Sequence, residues 1–301
     1  MGQLCRMRTI RIPVDGGLAI VADEMGPRSG ATVILGHGGG QTRHSWDRAG
    51  DELASAGYHV INYDLLGHGE SDWEPDGDYS YVRRAADLAR LRQLAGPRCA
   101  FVGASLGGLS GMAAASLGVV PDALVLVDVV ARLSPAGVER IVGFMTAHPD
   151  GFASLEQAAD AISAYYPDRP RPARLDGLRR NLREGPDGRF YWHWDPKFLV
   201  GGRGHGSLEE LLGKADWMHR VPTLLVRGLK SDIVTDEGVA DLAARIPGLE
   251  VADIGGAGHM VAGDRNDQFN AAVIAFLTRV MPPCPRDSQR VDGAHVRRDI
   301  R

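Results

Sequence analysis

Short runs of β-branched and apolar residues alternate along the chain with longer stretches whose apolar positions recur every three or four residues. The short runs are Thr9–Val14, Leu18–Glu24, Thr32–Leu35, His59–Tyr63, Cys99–Gly103, Ala123–Asp128, Thr223–Arg227 and Glu250–Ile254. The last six have the apolar character of strands buried on both faces. The first two flank Asp15-Gly16-Gly17 and read as an opening hairpin. Helical spacing occupies Trp46–Ala56, Val82–Leu94, Leu106–Ser116, Thr235–Ile246 and Asp267–Val280. This alternation predicts an α/β fold, a mostly parallel eight-stranded sheet flanked by helices.

The rhythm breaks once. Roughly ninety residues separate Asp128 from Thr223, far more than an ordinary crossover needs. Helix-like pieces at Pro135–Ala147, Leu155–Tyr165, Arg174–Arg183 and Leu208–Leu212, and the aromatic run Phe190-Tyr191-Trp192-His193-Trp194, fill the gap. It reads as an inserted helical cap over 132–213, on a core made of 1–131 and 214–281. From Pro282 the chain is polar and unpatterned, as in a flexible C-terminal tail.

Composition removes whole classes of function. In 301 residues, 44% are hydrophobic and 24% charged, enough for a sizeable core and unlike disordered, collagenous or coiled-coil chains. The net charge of −4 provides no basic field for nucleic acid. The Arg-rich stretches Arg169–Arg180 and Arg286–Arg301 contain acids and no interleaved aromatics, so they read as solvated surface. Cys5, Cys99 and Cys284 are too few and too scattered for a disulfide framework or a metal cluster. Met1–Arg11 is basic without the apolar stretch of a signal peptide, and no window is apolar enough to span a bilayer. The expectation is a cytoplasmic protein, monomer or homodimer, that acts without membrane or nucleic acid.

The chemistry centres on Gly103-Ala104-Ser105-Leu106-Gly107, between a strand and a helix. A serine there is forced into a sharp turn that projects its hydroxyl off the sheet edge, and small residues two places away avoid collisions. The letters alone are weak, since so glycine-rich a chain yields the pattern by chance about once in four; the strand–turn–helix setting gives it weight. His37-Gly38-Gly39-Gly40 follows another strand and suits an oxyanion hole built from the Gly39 and Leu106 amides. Without Ser105 the same letters would be only a tight glycine turn.

A base and an acid complete the set. Of ten histidines, His259 lies after the last strand and before the final helix, at the sheet edge where open α/β sheets bind ligands. His59 reads as structural, His148 and His205 fall in the insertion, His219 lies at the wrong edge, and His295 is in the tail. His44 stands near the site, and His37 reads as bracing its own loop. The acid must orient the imidazole. Asp232, beyond Thr223–Arg227, is preferred, and Asp128, ending Ala123–Asp128, is the competitor, its alternative role that of a loop brace.

The order Ser105, Asp232, His259 is that of the α/β hydrolases. The chain resembles that superfamily over roughly residues 9–281. The resemblance is carried by His37–Gly40, Asp64-Leu65-Leu66-Gly67-His68-Gly69-Glu70-Ser71, Gly103–Gly107, Gly228–Asp232 and Gly258-His259. It implies that Asp64 and Ser71 tie down the loop beside the site. Dehalogenases and epoxide hydrolases of this fold carry aspartate where Ser105 stands, which disfavours both. Carbon–carbon bond hydrolases share the glycine opening but continue into Pro-Gly, where this chain has Gln41-Thr42-Arg43-His44. Haloperoxidase-like members use the same triad, and such activity would be incidental to ester hydrolysis.

The expected activity is therefore serine hydrolysis of a carboxylic ester or lactone through an acyl-enzyme, with neither metal nor organic cofactor. Phe144, Met145, Tyr165, Tyr166, Trp192, His193 and Trp194 are the candidates to line a small-molecule pocket under the cap, although each could equally pack the cap onto the core. In an extended segment Trp192 and Trp194 face one way and His193 the other, so either the pair or the imidazole meets substrate. Carbon–carbon hydrolysis, acyl transfer and non-catalytic ligand binding are the alternatives on this scaffold.

Overall fold

The computed structural model describes residues 7–167, 171, 175–200, 207–213, 215–259 and 266–283. The first strands are Arg8–Pro13 (β1), Ala19–Met25 (β2), Thr32–Gly36 (β3), His59–Tyr63 (β4), Cys99–Ala104 (β5) and Ala123–Val127 (β6). Two short strands, Leu182–Glu184 (β7) and Phe190–Trp192 (β8), form a separate hairpin, and Thr223–Gly228 (β9) and Glu250–Ile254 (β10) return to the main sheet. That sheet has eight strands in the order β1-β2-β4-β3-β5-β6-β9-β10. β2 runs antiparallel to β1 and β4, and all other pairs are parallel.

The helices are Asp47–Ser55 (α1), Tyr81–Arg92 (α2), Leu106–Ser116 (α3), Pro135–Thr146 (α4), Leu155–Tyr165 (α5), Leu208–Leu212 (α6), Asp236–Arg245 (α7) and Asn266–Val280 (α8). Five begin where a hydroxyl accepts an N–H of the first turn: Ser80, Ser134, Ser154, Ser207 and Thr235. α3 has no such side-chain cap. Alternate strand residues feed two cores. Ile34, Ile61, Phe101, Leu124 and Leu225 pack with residues of α2, α3 and α7, whereas Leu35, Val60, Val102, Val125 and Val226 pack with α1 and α8. Among the described residues no helix is long and apolar enough to cross a membrane.

The insertion between β6 and β9 has its own apolar centre of Met145, Phe152, Ala158, Leu182, Trp192 and Trp194. It is not wholly helical. The stretch expected to be helical over Arg174–Arg183 is instead a 3₁₀ turn, Asp176–Arg180, followed by β7. Gly185-Pro186-Asp187-Gly188 makes the hairpin turn, with Gly188 at φ 75° and Gly185 N–H donating to the Arg189 carbonyl at 2.8 Å. The positions 201–206, the tail from 284 onward, and with them His205 and His295, lie outside the described residues.

One buried carboxyl should leave a mark on stability. Asp87 of α2 is buried, 3.5 Å from Arg83, and burial pushes its pKa up to about 7 from 3.8. A carboxyl that is harder to ionise folded than unfolded favours the native state at low pH, and that advantage is lost as pH rises from about 4 through 7. Denaturant unfolding of wild type and Asp87→Asn should therefore show the difference drifting in favour of the variant over this range. A flat difference would show that Asp87 titrates normally.

Candidate active site

β5 ends at Ala104 and α3 begins at Leu106, so Ser105 alone makes the turn between them. It does so at φ 44°, ψ −111°, a conformation that opposes a side chain. Its N–H donates to Val127 O at 3.0 Å and its carbonyl accepts from Leu109 N at 2.9 Å, which hold the turn from β6 and from α3. Glycine permits the close packing around it. A Cβ on Gly103 would lie 2.4 Å from the Gly107 carbonyl carbon, and one on Gly107 would lie 2.3 Å from Gly36 O.

Asp128, one residue past β6, is the other non-glycine residue with positive φ among those described, at 47°. Its carboxylate is fully buried and heavily engaged. Oδ1 accepts from Gly228 N at 3.0 Å, and Oδ2 accepts from Ser231 Oγ at 2.5 Å and from His259 Nδ1 at 2.7 Å. A carboxylate on Nδ1 fixes the hydrogen there and leaves Nε2 as the free base. The loops after β9 and β10 are strapped together by main chain: Lys230 N donates to Ala257 O at 2.8 Å, and a Cβ on Gly228 would lie 2.4 Å from Gly258 O. That strap carries His259 back across β9 to the end of β6.

Of the two candidate acids, the structure thus brings Asp128 to His259 and turns Asp232 elsewhere. Its carboxylate accepts from Arg140 Nη1 of α4 at 2.5 Å and is partly exposed. Arg140 also donates to Tyr165 O and stacks over the Tyr165 ring. Asp232 thus ties the insertion to the loop after β9, while its neighbour Ser231 serves Asp128. The Ser105 hydroxyl itself makes no hydrogen bond to the described residues.

The glycine loop after β3 lies beside the serine. A Cβ on Gly38 would be 3.5 Å from Ser105 Cβ, and one on Gly39 would be 3.7 Å from Leu106 Cδ2. The amides of Gly39 and Leu106 donate to no acceptor among the described residues, the second because it opens α3, where the first N–H groups of a helix have no intrahelical acceptor. The loop is held from behind. Gly38 N donates to Gln41 Oε1 at 3.1 Å, and Gly40 N to His68 Nε2 at 3.2 Å. His37 accepts from Leu65 N at 3.0 Å and bonds the Gly38 carbonyl, the bracing role expected of it, and burial lowers its pKa. Arg43 is buried against Asp23, Asp64 and Glu70. Asp64 also accepts Arg43 N and Glu70 N, and Ser71 Oγ donates to Asp64 O. His44 is turned to Asp47, and His59 to Glu24 and Thr32.

The aromatic candidates form a stacked tryptophan pair, a second cluster that touches it through Phe144, and the imidazole of His193. Trp192 and Trp194 stack with centroids 4.9 Å apart and face into the centre of the insertion with Met145. Met145 and Trp194 reach the glycine loop, since a Cβ on Gly40 would meet Met145 Cε at 2.9 Å and Trp194 at 3.3 Å. Phe144 stacks on Tyr165, and Tyr165 meets Tyr166 edge-on. His193 is half-buried, its pKa lowered by burial despite the nearby carboxylates of Asp64 and Glu70, and its carbonyl accepts Gly69 N. The sequence reading passes over Phe198, whose ring would lie 3.6 Å from a Cβ on Gly39; Ser231, Gln41, Arg43 and His68 stand within its motifs without a role of their own. The motif Asp64–Ser71 pointed to His68's loop, but nothing in the spacing singled out Phe198 or Ser231. Among the described residues no group of three or more His, Cys, Asp or Glu side chains could hold a metal ion.

Comparison with known proteins places this geometry in a lineage. A family model described as the alpha/beta hydrolase family matches residues 33–272. The esterase Rv0045c of Mycobacterium tuberculosis is 33% identical over 254 residues, spanning 79% of each chain. The 3-hydroxybutyrate-oligomer hydrolase of Cupriavidus necator is 29% identical over 248 residues, 76% of this chain and 83% of that one. The solved enol-lactonase of Burkholderia xenovorans superposes with a TM-score of 0.68 at 25% identity, covering 89% of this chain and all of that one. The chain belongs to the α/β-hydrolase family, and it is a hydrolase of that type.

Proposed function

We propose that the protein hydrolyses a carboxylic ester or lactone of a medium-sized hydrophobic molecule through an acyl-enzyme on Ser105. The observation that carries this reading is the 2.7 Å contact from His259 Nδ1 to the buried Asp128, at the same sheet edge as the strained Ser105. With its hydrogen fixed on Nδ1, His259 takes the Ser105 proton at Nε2 as Oγ attacks the carbonyl carbon. The carbonyl oxygen becomes an oxyanion and accepts from the unengaged amides of Gly39 and Leu106. His259 then protonates the leaving alkoxide. Water enters, gives a proton to the same Nε2 and attacks the acyl carbon, which releases the carboxylic acid and returns the proton to Ser105.

The insertion acts in this reading as a cap whose Met145, Trp194 and Phe198 crowd the glycine loop and favour apolar substrate groups. Relatives that are an esterase, an enol-lactonase and a 3-hydroxybutyrate-oligomer hydrolase support cleavage of an acyl–oxygen bond here. The test is labelling by a small fluorophosphonate beside hydrolysis of an aryl-ester series of increasing acyl length. One equivalent bound at Ser105, with turnover greatest at intermediate chain length, is expected. Folded protein that stays unlabelled and inert would defeat the proposal.

A further inference from the structure

His68 lies in the loop after β4, its side chain fully buried. The Gly40 N–H donates to its Nε2 at 3.2 Å, so Nε2 carries no hydrogen. The neutral ring must then hold its hydrogen on Nδ1, and the Leu66 carbonyl lies 3.3 Å from that atom to accept it. Burial keeps the ring neutral, holding its pKa well below the ordinary histidine value. Two rings pack against it, with centroids 5.2 Å away for His37 and 4.5 Å away for Phe198, from the insertion.

The main chain around it is equally committed. His68 bridges Trp194, Gly69 N donates to His193 O at 2.8 Å, and Asp195 N donates to Gly67 O at 2.7 Å. Gly40 sits at φ 76°, in the left-handed region, directly after Gly39. Turning the Gly40 N–H away from His68 would rotate the peptide plane between Gly39 and Gly40 through ψ of Gly39 and φ of Gly40, and the Gly39 N–H, which lies in the plane just before it, would lose the anchor that holds its backbone one residue on. A glycine loop has no side chains to resist that rotation.

We infer that His68 is a positioning residue for the oxyanion hole: its unprotonated Nε2 anchors the Gly40 amide and so aims the Gly39 N–H, while Phe198 makes the anchor depend on the seating of the insertion. The inference rests on the acyl-enzyme reading for its consequence but not for its geometry. The geometry can be read without turnover. In ¹⁵N spectra of the full chain, His68 Nε2 should resonate as an unprotonated ring nitrogen coupled through the hydrogen bond to the Gly40 nitrogen. A hydrogen on Nε2, or exchange of the Gly40 amide as fast as in an open loop, overturns the assignment.

Two variants read the consequence. His68→Gln places an acceptor near the Nε2 position and should keep kcat for an aryl ester within about fivefold, while His68→Leu should lose about 10²-fold in kcat with KM nearly unchanged, the scale of a misaimed oxyanion donor. Equal activity of the two overturns the inference. If His68→Leu does not fold, Phe198→Ala takes its place, with a slowed kcat and faster Gly40 exchange expected together. A wild-type protein inert to ester and fluorophosphonate would defeat the hydrolase reading, and the ¹⁵N spectrum would still decide whether His68 holds the loop.

Discussion

Asp128→Asn should lower kcat for ester hydrolysis by about 10⁴-fold, whereas Asp232→Asn should leave it within about threefold. The asymmetry follows from polarity. Gly228 N–H demands an acceptor at Oδ1, so asparagine would turn its carbonyl there and its NH₂ toward His259 and Ser231. Facing a donor, Nδ1 must give up its hydrogen, which moves to Nε2 and removes the base. Asp232 offers no comparable hold on the imidazole. Its partner is Arg140, and both side chains are substantially exposed, so losing that pair costs at most about 1 kcal/mol. Steady-state kinetics of the two variants, with urea unfolding of each, decides the matter. A loss at Asp232 equal to that at Asp128 would mean that the acid has been misassigned.

Ser105→Ala should remove about 10⁶-fold of kcat while leaving stability within about 0.5 kcal/mol. The hydroxyl has no hydrogen-bond partner among the described residues, so its deletion leaves no polar group behind. Alanine keeps Cβ and therefore keeps the strain at φ 44°. Ser105→Gly, equally inactive, releases that strain and should be more stable than either by about 1 kcal/mol. The combination of lost turnover with unchanged or raised stability separates a chemical role from a structural one. An alanine variant that retains a tenth of the activity would remove Ser105 from the reaction, and a glycine variant less stable than alanine would remove the claim of stored strain.

All eight strands of the main sheet lie where the short apolar runs lie, but the edge strand β10, expected to be buried on both faces, is largely exposed. The serine turn was legible because its glycines are demanded by contacts under 3 Å. The carboxylate that meets His259 was not. Asp128 and Asp232 stand after neighbouring strands, and local sequence cannot say which way the loop bearing His259 leans. That is decided by main-chain contacts between Gly228 and Gly258 and by the left-handed turn at Asp128, neither of which has a periodicity. The β7–β8 hairpin was hidden for a different reason. Its strands are three residues long, too short for alternation to show, although Gly185-Pro186-Asp187-Gly188 was a readable turn signal. Phe198 and Ser231 act through tertiary neighbours alone and had no local signature.

The left-handed turn at Asp128 also stands at the seam where the sheet gives way to the insertion, since β6 ends at Val127 and the capping Ser134 of α4 follows within a few residues. Exchange of one insertion for another, by recombination or by design, must therefore cut downstream of Asp128 and return before Thr223. A graft made one residue too early would carry away the partner of His259 along with the roof. By contrast, the stretch from Ser134 to Val200 can be exchanged without removing Ser105, Asp128 or His259, provided that the new insertion supplies a ring in place of Phe198 against His68, whereas Leu208, Leu212, Trp217 and Met218 pack in the main core and must stay. Under the proposed mechanism, the same junction would make new specificity modular and leave the Asp128–His259 pair as a fixed inheritance of the sheet.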